Sequence, residues 1–315
     1  FLKAEEVQNS YTRDIAKQNQ ETLQLSQQAG NLTILLAGRP YHADPLIQHK
    51  VSNMLAEMGI DVITEDVIRE ESIDIKETHF LAQWSYPNRI MRAAKWCTAQ
   101  SNNVQLVQMT SFGCGPDAFM VDEVRDLMLR HNRAYTQLKL DDINNIGSMK
   151  LRVRSLVESL KIANNIRENI ATQEFVSTPN YSKQYRGRKI IVPFFTPFIS
   201  PLIPSVLRVA GYDVESLPMS NEESSEYGLK YANNEVCYPA TLIIGDVIKA
   251  LKSGKYSPSQ IAVGITQTGG QCRASNYLPM LKKALVDAGY SDVPVIALTL
   301  GAGIENDQPA FKINW

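Results

Sequence analysis

Residues 104–130 read VQLVQMTSFGCGPDAFMVDEVRDLMLR. The strand-like apolar run VQLVQMT (104–110) stops at a cysteine flanked by Gly113 and Gly115, and a helical pattern starts at once over GPDAFMVDEVRDLMLRH. Strand, glycine turn and helix in that order form one α/β unit. The arrangement recurs near the other end of the chain. There QIAVGITQT runs into Gly269-Gly270-Gln271-Cys272, and SNYLPMLKKAL follows as a helix.

Working outward, residues 1–29 are polar, Gln-rich and helix-favouring, and Gly30-Asn31 reads as their stop. LTILLAG (32–38) is a short buried strand, followed by the loop RPYHA. Asp44-Pro45 then opens a helix, Asp as N-cap and Pro at its first position, which ends near Gly59. IDVIT (60–64) and AYTQLKL (134–140) are further strands. Strands alternate with helices and two-residue hairpin signals are missing between them, which predicts a parallel sheet covered on both faces.

The second half repeats the order. RKIIVPFF (188–195) is a strand. Ser200-Pro201-Leu202-Ile203 echoes Asp44-Pro45-Leu46-Ile47, Gly211-Tyr212-Asp213-Val214 echoes Gly59-Ile60-Asp61-Val62, Tyr238-Pro239 echoes Tyr86-Pro87, and Cys272 echoes Cys114. The echoes come in the same order, with spacings that drift only by loop lengths. The expected fold is two tandem Rossmann-like α/β domains, each a doubly wound and mostly parallel sheet, related by internal duplication. The expected boundaries are a helix over 1–29, a first domain over 30–160, a helical connection and linker over 161–185, and a second domain over 186–315. A start at Phe1, inside what reads as helix, suggests a piece of a longer chain.

Composition narrows the function. The chain has 315 residues, 44% of them hydrophobic, enough for two cored domains. A net charge of −1 supplies no bulk field for nucleic acid or an anionic membrane. No apolar run has the length of a membrane span, and FLKAEEVQNS is not a signal peptide. Four cysteines do not make a disulfide scaffold at this length, and a reducing, cytoplasmic location is expected.

The cysteines therefore matter by position. In an open parallel sheet, ligands gather beyond the carboxyl ends of the strands. Cys114 and Cys272 each follow a strand and precede a helix, and Cys237, before Tyr238-Pro239, also stands at a helix start. A helix N-terminus favours a thiolate, and neighbouring glycines let a bulky group approach the backbone. Cys97, in RAAKWCTAQ, lies in or at the end of an apolar helical pattern and reads as a small core residue. Structural zinc wants four ligands, often in paired Cys-x-x-Cys knuckles that this chain does not have. A zinc held by three thiolates and a water, and an iron–sulfur cube with one open iron, both suit three cysteines.

GRPYHADP, SFGCGPDA, NNEVCYPA and TQTGGQCRASNY together resemble the 2-hydroxyacyl-CoA dehydratase-type modules of acyl-CoA dehydratase activase-related proteins. The resemblance covers about residues 32–315. It implies a [4Fe-4S] cluster in the cleft between two Rossmann-like domains, with Cys114, Cys237 and Cys272 as ligands and Gly113, Gly115, Gly269, Gly270 and Arg273 around it. It also implies a lyase or ATP-coupled reductase component doing one-electron chemistry on a small or CoA-linked substrate, fed by an ATPase activase in the same or another chain. The chain departs from a two-subunit dehydratase in carrying both halves itself. It contains neither a Gly-x-x-x-x-Gly-Lys-Ser/Thr loop nor a Gly-x-Gly-x-x-Gly fingerprint. The reading from another class is a non-catalytic interaction or scaffold module, or a zinc-binding one.

Beside the cysteines, His42 at the expected ligand edge is a candidate donor or acid, and Arg39 a candidate anion holder. Arg273, next to Cys272, has the charge to raise a cluster's potential. His49, His79 and His131 read as structural, Asn233-Asn234 as a turn, and RVRSL (152–156) as a solvated helix face.

Overall fold

The computed structural model describes residues 1–69, 71–79, 82, 84–111, 115–140, 146–166, 171–267, 273–299 and 311. Its internal contacts divide the chain into two units. The first is Phe1–Thr78, Ala82–Gly113 and Met120–Phe175; the second is His79–Leu81, Cys114–Phe119 and Val176–Trp315.

The first unit opens with α1 (Leu2–Ala29), which stops at Gly30 in the left-handed region, φ 69° and ψ 20°. That is the stop Gly30-Asn31 predicts, since glycine takes this conformation without a Cβ clash. Ala16, Leu23 and Ser26 are the buried residues of α1, and the Ser26 hydroxyl lies 2.6 Å from that of Thr33 at the start of β1 (Thr33–Ala37). The rest follows as α2 (Val51–Glu57), β2 (Asp61–Thr64), α3 (Ser85–Thr98), β3 (Val104–Thr110), α4 (Pro116–Arg130), β4 (Thr136–Lys139) and α5 (Ile146–Ile166). The sheet order is β2-β1-β3-β4 and every pairing is parallel. Every residue of β1 and β3 is buried, the signature of central strands covered on both faces.

One expected element moves. The Asp44 carboxylate does accept from the N–H groups of Leu46 and Ile47, at 2.8 and 3.2 Å. The turn it caps does not run on into α2, because His49 and Lys50 both take positive φ, 51° and 58°. The helix proper starts at Val51, six residues after Pro45.

The second unit contains β5 (Lys189–Val192), α6 (Leu202–Val209), β6 (Val214–Ser216), α7 (Glu222–Tyr231), α8 (Tyr238–Lys252), β7 (Ile261–Gln267), α9 (Tyr277–Asp287) and β8 (Val295–Thr299). Its order is β6-β5-β7-β8, again all parallel. The two sheets thus share strand order and direction. Gly59 and Gly211 both turn with positive φ just before the second strand of their sheets, 74° and 84°. Ile191, Val263 and Val295 from the strands pack with Ile244, Val247, Leu281 and Leu285 from α8 and α9.

Helix α7 is an element the strand–helix echo does not announce. Asn221 caps it, accepting from Ser224 N–H at 3.1 Å, while the Ser224 hydroxyl accepts from Asn221 N–H at 3.1 Å. It runs antiparallel to α8 at backbone contact: a Cβ on Gly245 would lie 1.7 Å from the Ser224 carbonyl oxygen. Only glycine permits that approach. The crossing fixes the short α7–α8 connection, which carries Cys237.

Candidate functional site

In the first sheet the strand order reverses between β1 and β3, so the loops after these strands flank the crevice where open α/β sheets bind ligands. A side chain from each loop meets there. His42 is fully buried, and its Nδ1 accepts from the Arg39 backbone N–H at 3.0 Å. That leaves the proton on Nε2, which donates to the Ser111 hydroxyl at 2.6 Å. Burial, reinforced by the charge of Arg39, lowers the His42 pKa to about 4, so the ring is neutral at pH 7. With both nitrogens engaged, His42 acts on its surroundings through the half-buried Ser111 hydroxyl. Gly38 makes room for this ring, since a Cβ there would lie 2.5 Å from Nδ1.

Beside it, at the carboxyl end of β2, stands Glu65, which sequence reading passed over as the residue after a strand. It is buried, with Arg89 of α3 at 3.7 Å; Arg89 also holds Asp66 at 2.8 Å. Burial raises the Glu65 carboxyl to about pH 7 even though Arg89 pulls it down. An acid directly after a strand was the available signal.

In the second unit, Cys237 is the N-cap of α8 and is half buried. Its sulfur lies 2.9 Å from the hydroxyl of Tyr277, the first residue of α9. Around them Ala118 and Phe119, from the first turn of α4 (the part of that helix that belongs to this second unit), cluster with Val236 and Ala240, and Cys237, Tyr277 and Met280 pack against that cluster. The Asn233 amide donates to the Ala118 carbonyl at 2.9 Å. Asn276, just before Tyr277, is fully buried, and among the described residues neither amide atom has a hydrogen-bond partner.

Cys97 is set apart. It is fully buried at the end of α3, with its sulfur 3.7 Å from the Val104 carbonyl and 3.9 Å from the Arg133 guanidinium. Burial pushes its thiol pKa up, which suits a core residue and not a ligand. Arg133 is itself buried, donating to the carbonyls of Gln100, Ser101 and Val104.

Cys114, Cys272, Gly113, Gly269 and Gly270 lie outside the described residues. Gly115 turns into α4 with φ 104°, a conformation side chains rarely adopt. Arg273 opens the 3-10 turn Arg273–Asn276, and its side chain lies outside the described set. Among the described residues, no group of three or more His, Cys, Asp or Glu could hold a metal ion. Nor is any described helix long and apolar enough to cross a membrane.

Comparison with known proteins adds a family signal at one end. Residues 1–68 match the model of the CoA enzyme activase uncharacterised domain. The match takes in α1, β1, α2 and β2, agrees with an activase-related chain, and stops short of all four cysteines. No curated protein matches the chain. Among solved structures, one described as a two-component system response regulator/GGDEF domain protein aligns at 11% identity, covering 88% of this chain and 95% of its own, with a TM-score of 0.21. An overlap that weak leaves the fold to rest on the two parallel sheets themselves.

Proposed function

We propose that the chain is an iron–sulfur redox module of the 2-hydroxyacyl-CoA dehydratase type, with Cys114, Cys237 and Cys272 as the ligands of a [4Fe-4S] cluster. We also propose that its two halves arose by duplication, as the ordered echoes and the shared strand order suggest. One observation carries the ligand reading. Ala118, four residues after Cys114, and Tyr277, five residues after Cys272, both pack in the cluster of side chains that holds Cys237. Three stretches distant in sequence, each with a cysteine in or near it, thus share one neighbourhood.

Cys237 suits such a group. It is a half-buried thiol at the N-terminus of a fifteen-residue helix. A cluster held there supplies one-electron redox chemistry when bound. The remaining chemistry belongs to the chain. Neutral His42 orients the Ser111 hydroxyl at the switch-point crevice, and Arg39 sets a positive charge beside it, suited to a carboxylate or to a CoA-linked substrate. An ATPase activase is the partner this reading requires.

Anaerobic purification and reconstitution test it. The expected product is a brown protein with about four irons per chain. A colourless chain without metal contradicts the reading and favours a scaffold module, and a colourless chain with stoichiometric zinc replaces the iron reading with a zinc one.

A further inference from the structure

The hydrogen bond between Cys237 and Tyr277 has a direction that metal binding would fix. Either atom can be the donor while the thiol keeps its proton. A metal-bound thiolate has no proton, so the bond then runs only from the tyrosine hydroxyl to the sulfur. From this we infer that Tyr277 is a positioning residue for the Cys237 ligand. It orients the sulfur and withdraws charge from it, an inference that rests on the ligand reading above.

The geometry is specific. At 2.9 Å this contact is far shorter than the 3.7 and 3.9 Å polar contacts of the core thiol Cys97. It joins the starts of two helices, since Cys237 caps α8 and Tyr277 begins α9. The tyrosine ring is held by the cluster built on Ala118, Phe119, Val236 and Ala240, so its hydroxyl is presented by packing and not by a free side chain. The neighbouring Tyr238 provides the contrast. It sits directly after Cys237 and is 59% exposed.

Partners that hydrogen-bond a ligand set its orientation, and losing one typically costs about 10- to 100-fold in metal affinity. Hydrogen bonds to cluster sulfurs also raise the reduction potential, because they stabilise the added negative charge. Tyr277→Phe removes only the hydroxyl and keeps the ring in its cluster; Tyr238→Phe is the control. Both would be reconstituted anaerobically beside the parent chain. Iron content, release of iron to a chelator and midpoint potential would then be measured.

All three proteins should load the same iron, since the thiolates are intact. Tyr277→Phe should release it about tenfold faster than the parent and at a more negative midpoint potential. Tyr238→Phe should match the parent in both. A Tyr277→Phe protein that loads iron and matches Tyr238→Phe in release and potential overturns the inference alone. A parent chain that takes up no iron overturns the ligand reading and this inference with it.

Discussion

The segments leading into the two Tyr-Pro helices differ. In the first unit, β2 gives way to a short 3-10 turn, Glu65–Ile68, and the chain reaches α3 with buried Trp84 as N-cap. In the second, the capped helix α7 intervenes and lies against α8, whose N-cap is half-buried Cys237, the residue directly before Tyr238-Pro239 where the first unit has Ser85. Strand order is shared, but the local chemistry is not. Directly before Tyr-Pro, one unit has the exposed Ser85, while the other has a half-buried thiol and a helix leading into it. The first unit instead places its ionisable groups, His42 and Glu65, at the carboxyl ends of β1 and β2.

The largest expected effect tests whether α7 positions Cys237. Gly245→Ala puts a methyl where the Ser224 carbonyl already stands, so the helices must separate. Overpacking at backbone should cost about 3 kcal/mol or more. Denaturant unfolding of the variant beside the parent measures it. A loss under about 1 kcal/mol would mean the crossing is looser than described.

Next is the pH dependence built into the first unit. Glu65 has a raised pKa, so its contribution is complete below about pH 4.5 and is lost as pH rises through about 7. His42 has a lowered pKa, so its contribution is complete above 6.5 and is lost as pH falls through about 4. Between about pH 4.5 and 6.5 the two slopes oppose, each up to about 1.4 kcal/mol per pH unit. Replacing either group should expose the other: Glu65→Gln should gain stability with rising pH relative to the parent, and His42→Asn should lose it. Parallel pH profiles for the three proteins would show that neither group is buried as described.

These ionisable groups also mark the limit of what the sequence discloses. The central strands β1, β3 and β7 and the helices α1, α4 and α8 were legible because apolar runs and cap residues are local signals. The start of α2 was not, since the positive φ of His49 and Lys50 depends on how the loop after β1 packs. Helix α7 hides its helical start in NEESSEYGLKY, a polar stretch whose Asn221–Ser224 box is easily read as loop. Cys237 was legible as a residue at a helix start because Tyr-Pro marks a helix opening. Tyr277 was not, because its bond to Cys237 joins residues forty apart. Glu65 and Ser111 owe their settings to neighbours on other strands and loops, which spacing along the chain does not reveal.

The smallest effect belongs to the thiol read as core. Cys97→Ser puts a shorter hydroxyl in a fully buried site beside the Val104 carbonyl and the Arg133 guanidinium, and should cost about 1 kcal/mol of stability. It also supplies the control for the account's central claim. That claim is tested most directly by iron per chain after anaerobic reconstitution of Cys237→Ser and Cys97→Ser beside the parent. The account predicts that Cys237→Ser loses most of its iron and visible absorbance at unchanged fold stability, while Cys97→Ser keeps both. Full iron in Cys237→Ser, or loss of iron in Cys97→Ser alone, would contradict it.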